Sequence, residues 1–440
     1  MLRALPPHAA DQSHAMNTVI HWFRADLRLA DNPALTRAAH AADRLIPVFI
    51  HPPAQRTAWG FERVGPHRRH FLATALADLD AQLRAAGSGL VELHGDPVER
   101  LADLVSHTGA TGIVCEVIPA PEEETQIAAL RAAGITVETH WQSTLLDPST
   151  LPFDAANLPD VFTAFRQNVE GAGIRPPAPI PAPTRLPPLP DGLFPGANRM
   201  PAPPPPADPR SAFPYALPAF HGGASAGRAH LAQYLARGLP HSYKTTRNRL
   251  AGIDDSSKFS PWLALGALSA RQIHAGLKDF EARRGASDGT YWLWFELLWR
   301  DHFRLLHRKH GRHLYRAGGL TGSAPPTHDY AAFARWQTGN TGHPLIDAGM
   351  RELAATGYLS NRMRQIVASY LIHDLACDWR AGAAWFEAQL VDFDVCSNQG
   401  NWLYITGRGT DPRGGRRFNP DKQAAEHDPD GAYQACWSTP

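Results

Sequence analysis

Residues 18–50 read TVIHWFRADLRLADNPALTRAAHAADRLIPVFI, and in this stretch two apolar runs flank a segment with helical spacing. Both runs are short and rich in β-branched residues, which is typical of buried strands. The alternation continues as far as Trp141. Further strand-like runs lie at 90–95, 111–117 and 135–141, and helices are predicted at 32–42, 67–86, 97–108 and 122–133. This order predicts a parallel, doubly wound sheet with helices on both faces.

Composition along the chain predicts four regions. They are a disordered extension at 1–16, the α/β domain at 17–150, a connector at 151–226 and an all-α domain at 227–440. Either Met1 or Met16 is the true start, because the first strand follows Met16 directly. Between Pro176 and Pro209, 15 of the 34 residues are proline. Since proline has no amide donor and cannot continue a helix or a sheet, this part of the connector is predicted to be extended.

Overall composition limits the classes of function. At 440 residues the chain is long enough for two domains. The net charge is +1, so any nucleic-acid binding must come from a local basic surface. The four cysteines have no CxxC spacing, which argues against a disulfide framework or a metal site. No apolar run approaches the ~18 residues of a membrane span. We expect a cytoplasmic monomer with no membrane partner.

Three segments of the second half could carry chemistry. The first, YKTTRNRLAGIDDSSKFSPWLALGALS (243–269), places Ser256, Ser257 and Ser260 at a turn before Pro261. Proline suits the first turn of a helix, where hydroxyls and free amides meet the positive end of the helix dipole. The turn is either an anion site suited to a diphosphate or a plain helix N-cap.

The second segment, TYWLWFELLWRDHFRLLHRKHGRH (290–313), predicts a helix with Trp292, Glu296 and Trp299 on one aromatic face. A carboxylate on such a face is costly without a partner or a ligand, although an aromatic stripe by itself is usually core. A basic run from Arg300 to Arg312 marks another side of the helix. That side is either an ordinary solvated face or a set of phosphate contacts.

The third segment, residues 357–420, combines arginines, carboxylates and aromatic residues. On a predicted helix lie Arg362 and Arg364, with Trp379 at its far end, and in a predicted loop after it lie Asp392, Asp394, Asn398, Trp402 and Tyr404. Acidic residues among buried-type neighbours need cationic or amide partners, so this segment is predicted to form a polar site.

Together these segments resemble the cryptochrome/photolyase family, and specifically its DASH-type cryptochromes. The motifs follow the family's order and spacing from Thr18 onward. They are WFRADLRLADNPAL, SSKFSPWLALG, FELLWRD, NRMRQIV, DWRAGAAWFE, DVCSNQGNW and FNPDKQA. The resemblance covers nearly the whole chain, and it implies an N-terminal antenna-type α/β domain and a C-terminal helical domain that holds FAD.

The resemblance also implies which residues bind FAD. Those expected around the diphosphate are Tyr243, Ser256, Ser257, Lys258, Phe259 and Ser260, with Arg416 as a further candidate, and Glu296 and Arg300 belong to the same cofactor set. Arg364 is expected to pair with Asp392 beside the flavin ring, and Asp394 to face the polar edge of the ring. Asn398 is expected to face flavin N5, where an amide is a poor proton donor and suits a reduced anionic flavin.

The substrate implied by the resemblance is a cyclobutane pyrimidine dimer in DNA. The lesion side is expected to include Glu296, Trp299, Asn361, Arg362 and Tyr404, with Arg247, Arg300 and Arg362 as nucleic-acid contacts. Photolyases for the (6-4) lesion carry a histidine pair where this chain has Asn361 and Arg362. Double-strand photolyases carry tryptophan at the position of Tyr404. Extruding a lesion from a duplex costs a few kcal/mol and each base–aromatic stack returns about 1–3 kcal/mol, so single-stranded DNA is the expected partner, with RNA as an alternative.

The electron-transfer path departs from the family pattern. Of the three tryptophans that reduce the flavin in relatives, Trp402 is the proximal one here and Trp379 the middle one. The distal position falls on Pro326, which cannot carry a hole. The path is therefore either truncated or completed by another aromatic residue, with Trp336 and Tyr330 as candidates.

The antenna and the biological role are open at this stage. The family's antenna-binding acid or amide follows the strand at 111–117, where either Glu116 or the apolar Ile118 takes the key position, so methenyltetrahydrofolate is an optional second cofactor. Three roles share these motifs: a DNA photolyase, a blue-light photoreceptor, and a flavoprotein that binds nucleic acid without turnover. A chain ending at Pro440 without a long tail favours the enzyme.

Overall fold

The computed structural model describes residues 16–199 and 202–439, so the predicted extension lies, apart from Met16, outside the described residues. The first domain contains five strands and four helices. They are β1 (Thr18–Phe23), α1 (Pro33–Ala41), β2 (Arg44–His51), α2 (Pro66–Ala85), β3 (Val91–His94), α3 (Pro97–Thr108), β4 (Gly112–Glu116), α4 (Pro121–Ala132) and β5 (Val137–His140). All neighbouring strands pair in parallel in the order β3-β2-β1-β4-β5. The predicted doubly wound sheet is confirmed.

The strand order reverses between β1 and β4, where doubly wound sheets usually bind ligands. Here the loop after β1 contacts the helical domain instead. The Leu27 amide donates to the Leu265 carbonyl at 3.0 Å, and Arg28 Nη1 donates to the Gly266 carbonyl at 2.8 Å. Gly266 has a φ of +64°, and a Cβ there would overlap the Ala25 carbonyl. Close approach of the two backbones therefore requires glycine at this position.

Two buried carboxylates fix the helical domain to the sheet domain. Arg271 pairs with Asp31 at 2.9 Å, and the Asp31 side chain is only 1% exposed. Asp301 accepts hydrogen bonds from the amides of Leu145 and Leu146, at 2.9 and 2.8 Å. Burial raises the pKa of Asp301 to about 6. These contacts set the position of the long helix that carries the second sequence segment.

The connector is partly helical. Helix α5 (Phe162–Gly171) precedes the proline-rich stretch, which is extended as predicted and has no helix or strand between Pro176 and Arg199. Arg199 pairs with Asp80 at 2.9 Å and with Glu92 at 2.8 Å. These ion pairs hold the end of the described stretch on the sheet domain.

The second domain is all-helical in the described residues, as predicted. Its helices are α6 (Ala224–Ala236), α7 (Tyr243–Thr246), α8 (Ser260–Ala264), α9 (Ala270–Arg284), α10 (Asp288–His310), α11 (Tyr330–Gln337), α12 (Pro344–Thr356), α13 (Asn361–His373), α14 (Trp379–Gln389), α15 (Val395–Thr406), α16 (Pro420–His427) and α17 (Ala432–Cys436). Within the described residues, 16–199 and 202–439, no helix is both long enough and apolar enough to cross a membrane.

Two predictions about the third segment are wrong. Trp379 does not end the helix of Arg362, because α13 stops at His373 and a turn with Ala376 at a φ of +50° follows. Trp379 instead begins α14, where the Asp378 side chain caps the first turn. The predicted loop after Asp394 is the helix α15, whose glycine sits where a Cβ would overlap the Phe303 ring. Close packing, not chain flexibility, accounts for Gly400.

Candidate active site

A cavity of about 560 Å³ lies among α13, α14, α15 and the turn that precedes α15. We call it the polar cavity. Its lining combines amide, carboxylate and apolar side chains, namely Asn361, Arg364, Gln365, Ala368, Phe386, Leu390, Asp392, Phe393, Asp394, Ser397, Asn398, Asn401, Trp402 and Ile405. Six predicted site residues from distant parts of the third segment therefore meet in one space: Asn361, Arg364, Asp392, Asp394, Asn398 and Trp402.

The predicted pair of Arg364 and Asp392 is present in the wall of the polar cavity. Arg364 Nη2 lies 2.8 Å from Asp392 Oδ2, and the Ser260 hydroxyl donates to the same oxygen at 2.6 Å. Burial lowers the pKa of Arg364, but the neighbouring Asp392 carboxylate outweighs this and raises it above the usual value. The other oxygen, Asp392 Oδ1, is buried without a partner in the described structure. A buried acceptor of this kind is expected to meet a donor on a bound ligand.

The second carboxylate of the turn, Asp394, has a full set of partners. Arg304 contacts both of its oxygens, and the Ser397 amide donates to Oδ1 at 2.8 Å, which caps α15. Burial by itself would raise the pKa of Asp394. The nearby Arg304 and Arg300 guanidiniums outweigh this effect and hold the pKa well below its usual range. Arg304 is only 6% exposed at its side chain. The sequence allowed the basic run from Arg300 to Arg312 to be either a solvated face or a set of phosphate contacts. Arg304 is neither, because it is buried against Asp394.

The serine turn reaches the polar cavity through Ser260, the first residue of α8. Lys258 is buried in a left-handed conformation with a φ of +55°, and its Nζ lies 5.0 Å from the centre of the Tyr358 ring. A non-glycine residue held there costs of order 1 kcal/mol, so the turn is kept in this shape by its surroundings. The Ser257 carbonyl accepts a hydrogen bond from His230 at 2.9 Å. None of the five predicted residues of this turn lines the polar cavity, and only Ser260 bonds to one of its wall residues, Asp392.

A cluster of charged residues lies beside the polar cavity. Helix α13 begins at Asn361 because the Ser360 side chain caps it, accepting from the Met363 amide at 3.2 Å. Arg362 follows and donates to the Asn248 side chain at 3.2 Å. Arg247 directly precedes Asn248 in the chain.

Arg247 joins this cluster to α10. It forms an ion pair with Glu296, and its guanidinium lies 4.4 Å from the centre of the Trp292 ring. Glu296 is 33% exposed at its side chain, so a ligand can reach it. Tyr243 begins the short helix below Arg247 and is buried, which raises its pKa to about 12. The aromatic face of α10 thus carries a carboxylate with a cationic partner, as its sequence requires.

Trp299 and Tyr404 are in contact, with ring centres 5.9 Å apart and planes at 74°. Phe162 of α5 stacks flat on Trp299 at 3.8 Å. The Tyr404 hydroxyl accepts from Arg416 Nε at 3.0 Å and from Arg413 Nη2 at 3.3 Å. Arg416 is therefore placed at Tyr404, and the structure gives it no contact with the serine turn.

A second cavity, of about 820 Å³, lies on the other side of α15. We call it the aromatic cavity. Its lining is made of ring and aliphatic side chains with polar residues, namely Asp160, Val161, Phe162, Thr163, Trp299, His302, Phe303, Leu306, His307, Leu314, Gly400, Leu403, Tyr404 and residues 409–413. Trp299 and Tyr404 line this cavity and not the polar one.

Arg300 is directed towards backbone atoms of the domain junction. It donates to the carbonyls of Ser143 and Leu263, and burial lowers its pKa to about 10.

Glu116, the antenna candidate, is 1% exposed, and burial raises its pKa to about 8. Its Oε2 has no partner among the described residues, whereas Ile118 is only half-buried. Folate binding stays a prediction.

The predicted electron-transfer residues Trp402 and Trp379 are both buried. Trp402 lines the polar cavity and starts a series of ring contacts. From Trp402 these contacts pass to Phe386 at 5.2 Å, Trp336 at 6.2 Å, Phe333 at 5.9 Å, His328 at 5.2 Å and Tyr330 at 4.5 Å. Tyr330 is 70% exposed, so the series ends at the protein surface.

Sequence reasoning missed several residues that line these two cavities or contact their walls. Arg304 could have been found from its position one turn after Arg300, on the side that faces Asp394. Gln365 and Ser397 are next to predicted residues, and only the direction of their side chains shows that they line the polar cavity. Phe162 lies 137 residues from Trp299 along the chain. No local pattern could have paired them.

Comparisons with known proteins agree with this arrangement. The family model for DNA photolyase matches residues 19–184, and the model for the FAD binding domain of DNA photolyase matches residues 292–439. The chain is 45% identical to cryptochrome DASH of Gloeobacter violaceus over 433 residues, which is 96% of this chain and 85% of the relative.

Two solved structures share the fold. The Synechocystis sp. cryptochrome has a TM-score of 0.90 and 41% identity, with 96% of this chain and 89% of the other covered. A class III photolyase from Agrobacterium tumefaciens has a TM-score of 0.81 and 30% identity, with 98% and 88% covered.

Proposed function

The chain belongs to the DASH-type cryptochromes of the cryptochrome/photolyase family and has FAD as its cofactor, and from this premise we propose that it repairs cyclobutane pyrimidine dimers in single-stranded DNA under blue light. The observation that carries the proposal is the first turn of α13. Asn361 and Arg364 line the polar cavity, while Arg362, between them, reaches the cluster of Arg247 and Glu296. A cofactor space and a cationic, partly exposed surface thus share one turn of helix.

The residues of the polar cavity fit a flavin. Asp392 has a buried oxygen without a partner, and Arg364 holds the other oxygen in place. Asn398 donates its amide to the Ala383 carbonyl at 3.1 Å, which fixes the side chain in the wall. We assign Arg364, Asp392, Asp394 and Asn398 to the flavin ring and the serine turn with Tyr243 to the diphosphate. When bound and reduced, FAD supplies the light-excited electron that splits the dimer.

The chain's own groups position the lesion. We assign Glu296 to a hydrogen bond with the pyrimidine imides, whose N–H groups donate to its carboxylate, and the neighbouring Arg247 cation stabilises the charge that develops on the dimer. Arg247 holds one Glu296 oxygen, so the other is free to turn towards a ligand. Arg362 is half-buried and offers its remaining donors to a phosphate. Trp299 and Tyr404 give the bases an aromatic surface to pack against.

The preference for single strands follows from the size of that aromatic surface. Each base–aromatic stack contributes about 1–3 kcal/mol, which must offset a few kcal/mol of unstacking and unpairing in a duplex. Tyr404 offers a smaller ring than a tryptophan, and two arginines hold its hydroxyl in place. A single strand is already unpaired, so the smaller surface is sufficient. Matched dimer substrates, one single-stranded and one double-stranded, test this; equal turnover on both would refute it.

For reduction of the cofactor we propose that Trp336 completes the path that Pro326 interrupts. Trp336 is separated from Trp402 by one ring, Phe386, and is followed by rings that lead to exposed Tyr330. Tryptophan and tyrosine can be oxidised and re-reduced, whereas the phenylalanine between them serves only as a medium. Trp379, the middle tryptophan implied by the resemblance, is buried but does not line the polar cavity, and we assign it to a second, separate branch of the path.

The proposed activity is tested by illuminating the purified, reduced protein with a dimer-containing oligothymidylate and measuring loss of the dimer. Repair that needs both light and reductant is the expected result. A protein that binds the strand in the dark but leaves the dimer intact would instead be a photoreceptor or a binding protein. Glu296→Gln is the matched variant, since it retains the size of the side chain and removes its charge.

A further inference from the structure

We propose that Trp59, which belongs to the sheet domain, is an outer electron donor in photoreduction of the flavin. This inference rests on the path proposed above, because it extends the ring series that starts at Trp402 and passes Trp336. It adds a residue from the other domain, to which the sequence analysis assigned no role. The series then has two outer ends, Trp59 and Tyr330.

Trp59 lies at the tip of a short hairpin in the loop between β2 and α2. An antiparallel bridge between Arg56 and Glu62 closes the hairpin. Directly after it, Arg63 Nε forms an ion pair with Glu387 of α14 at 2.6 Å. These contacts hold a ring of the sheet domain against the helical domain.

The Trp59 ring contacts the outer part of the ring series. Its centre lies 4.7 Å from the centre of the His328 ring, and the centre of the Tyr330 ring lies 4.5 Å from the same imidazole. Since His328 follows Phe333 in the series, both oxidisable rings branch from one point. Trp59 is half-buried and Tyr330 is 70% exposed, so a donor in solution can reach either ring.

The charges at this end of the series favour an oxidised ring. Burial lowers the pKa of His328, so its imidazole is uncharged at neutral pH and does not repel a cation on Trp59. The next residue, Asp329, accepts hydrogen bonds from the amides of Ala332 and Ala331, which lower its pKa and keep it ionised. A carboxylate next to the imidazole favours positive charge on the rings beside it.

Trp59 and Tyr330 differ in what they must release on oxidation. An indole can lose an electron first and its N–H proton later, whereas a phenol must lose its proton together with the electron. Light drives one electron from Trp402 to the flavin, after which Trp336 refills Trp402 and Trp59 refills Trp336. The oxidised Trp59 ring releases its proton to water. A thiol in solution then returns one electron and one proton and becomes a thiyl radical.

The test removes each outer donor while keeping an aromatic side chain in its place. Trp59→Phe and Tyr330→Phe each put a ring that is not oxidised where an oxidisable one was. Trp141→Phe is the matched control, because Trp141 is half-buried in the same domain and contacts Arg308 of α10. The measurement is the yield of reduced flavin that survives recombination after a laser flash, with a thiol present, in H₂O and in D₂O. Transient absorption identifies the indole or phenol radical, and flavin content checks the fold.

Trp59→Phe is expected to lower the yield roughly by half, because one of two outer donors is lost, and Trp141→Phe to match the parent. The yield that remains in Trp59→Phe depends on Tyr330, so it is expected to fall further in D₂O than the yield of Tyr330→Phe. Trp59→Tyr is expected to restore the parent yield in H₂O, with a phenol radical in place of the indole radical.

Two results overturn the inference. One is a parent-like yield in Trp59→Phe, both alone and combined with Tyr330→Phe. The other is a lower yield in Trp59→Phe that Trp59→Tyr does not restore, because Trp59 would then only support the packing of the series.

A repair assay separates this inference from the proposed function. When the flavin is reduced chemically, Trp59→Phe is expected to repair the dimer like the parent, because the path to the surface is not needed. Loss of repair in the chemically reduced variant would overturn the role of Trp59 as an electron donor. If the chemically reduced parent leaves the dimer intact, the proposed repair fails, and the flash experiment still decides the role of Trp59.

Discussion

The two faces of α15 line cavities of opposite character. Asn398 and Trp402 face the polar cavity, and Leu403 and Tyr404 face the aromatic one. In the polar cavity a carboxylate oxygen is buried without a partner, at Asp392. In the aromatic cavity the two carboxylates, Asp160 and Asp411, are paired with basic side chains. A cavity with an unmet buried acceptor accepts one matching ligand, whereas a cavity of rings accepts any flat one.

The largest effect is expected from removing the charge of Asp392, which tests whether the buried carboxylate of the polar cavity binds the cofactor. Asp392→Asn leaves the half-buried Arg364 beside a neutral amide, and breaking a buried ion pair by removing one partner costs up to about 3–5 kcal/mol. We expect FAD affinity to fall about a hundredfold or more. The measurement is flavin retained after dialysis, with affinity from titration of the apoprotein.

The control for this prediction is Asp374→Asn. Asp374 also pairs with an arginine, Arg417, but that arginine is 67% exposed at its side chain, and such pairs contribute about 0–1 kcal/mol. Asp374→Asn is expected to keep all of its flavin. Full retention of flavin by Asp392→Asn would contradict the assignment of the polar cavity.

The next effect in size concerns Glu296, which lines neither cavity. Glu296→Gln retains a hydrogen-bonding side chain but loses the charge-assisted bond, which is worth about 1.5–3 kcal/mol. We expect repair per absorbed photon to fall roughly tenfold or more while flavin content is unchanged. Glu281→Gln is the control, because Glu281 pairs with Lys278 of the same helix, α9, and lines neither cavity. A drop in flavin content with Glu296→Gln would instead move Glu296 into the cofactor site.

The fold was predictable because its signals are local. Strand spacing in residues 18–50 and helix spacing in α10 depend on neighbours a few positions away, and both predictions are confirmed. The errors came where a local signal competes with a distant contact. Gly400 predicts a loop by itself, but it packs against Phe303 of another helix, and α15 continues through it.

The candidate site was predictable only through the resemblance. Arg364 and Asp392 are 28 residues apart, and no spacing rule joins them. The same holds for Arg304 with Asp394 and for Phe162 with Trp299, which the sequence analysis did not pair at all. Side chains that meet across three helices are set by the packing of the whole domain, which a single sequence does not display residue by residue.

The difference between the polar and the aromatic cavity can also be tested by enlarging the ring of Tyr404, which lines the aromatic cavity. Tyr404→Trp increases the stacking surface at the lesion side and is expected to raise repair of a duplex dimer about fivefold, the effect of roughly 1 kcal/mol. Tyr404→Phe retains the ring and removes the acceptor for Arg413 and Arg416. It is expected to leave the ratio of single-strand to double-strand repair unchanged. If both variants change that ratio equally, the hydroxyl contacts, not the ring size, set the preference.

The smallest expected effect lies on the polar-cavity face, where Trp402 starts the ring contacts to the surface. Trp336→Phe preserves the packing and removes an oxidisable ring, so we expect flavin photoreduction to slow without being lost, because Trp379 remains. The double variant with Trp379→Phe is expected to be slower than either single one. Flash photolysis measures the rate, and Trp385→Phe is the control, since Trp385 contacts Phe61 and lies off the series. If Trp336→Phe matches the parent and adds nothing to Trp379→Phe, the electrons leave by another route and the ring series is only packing.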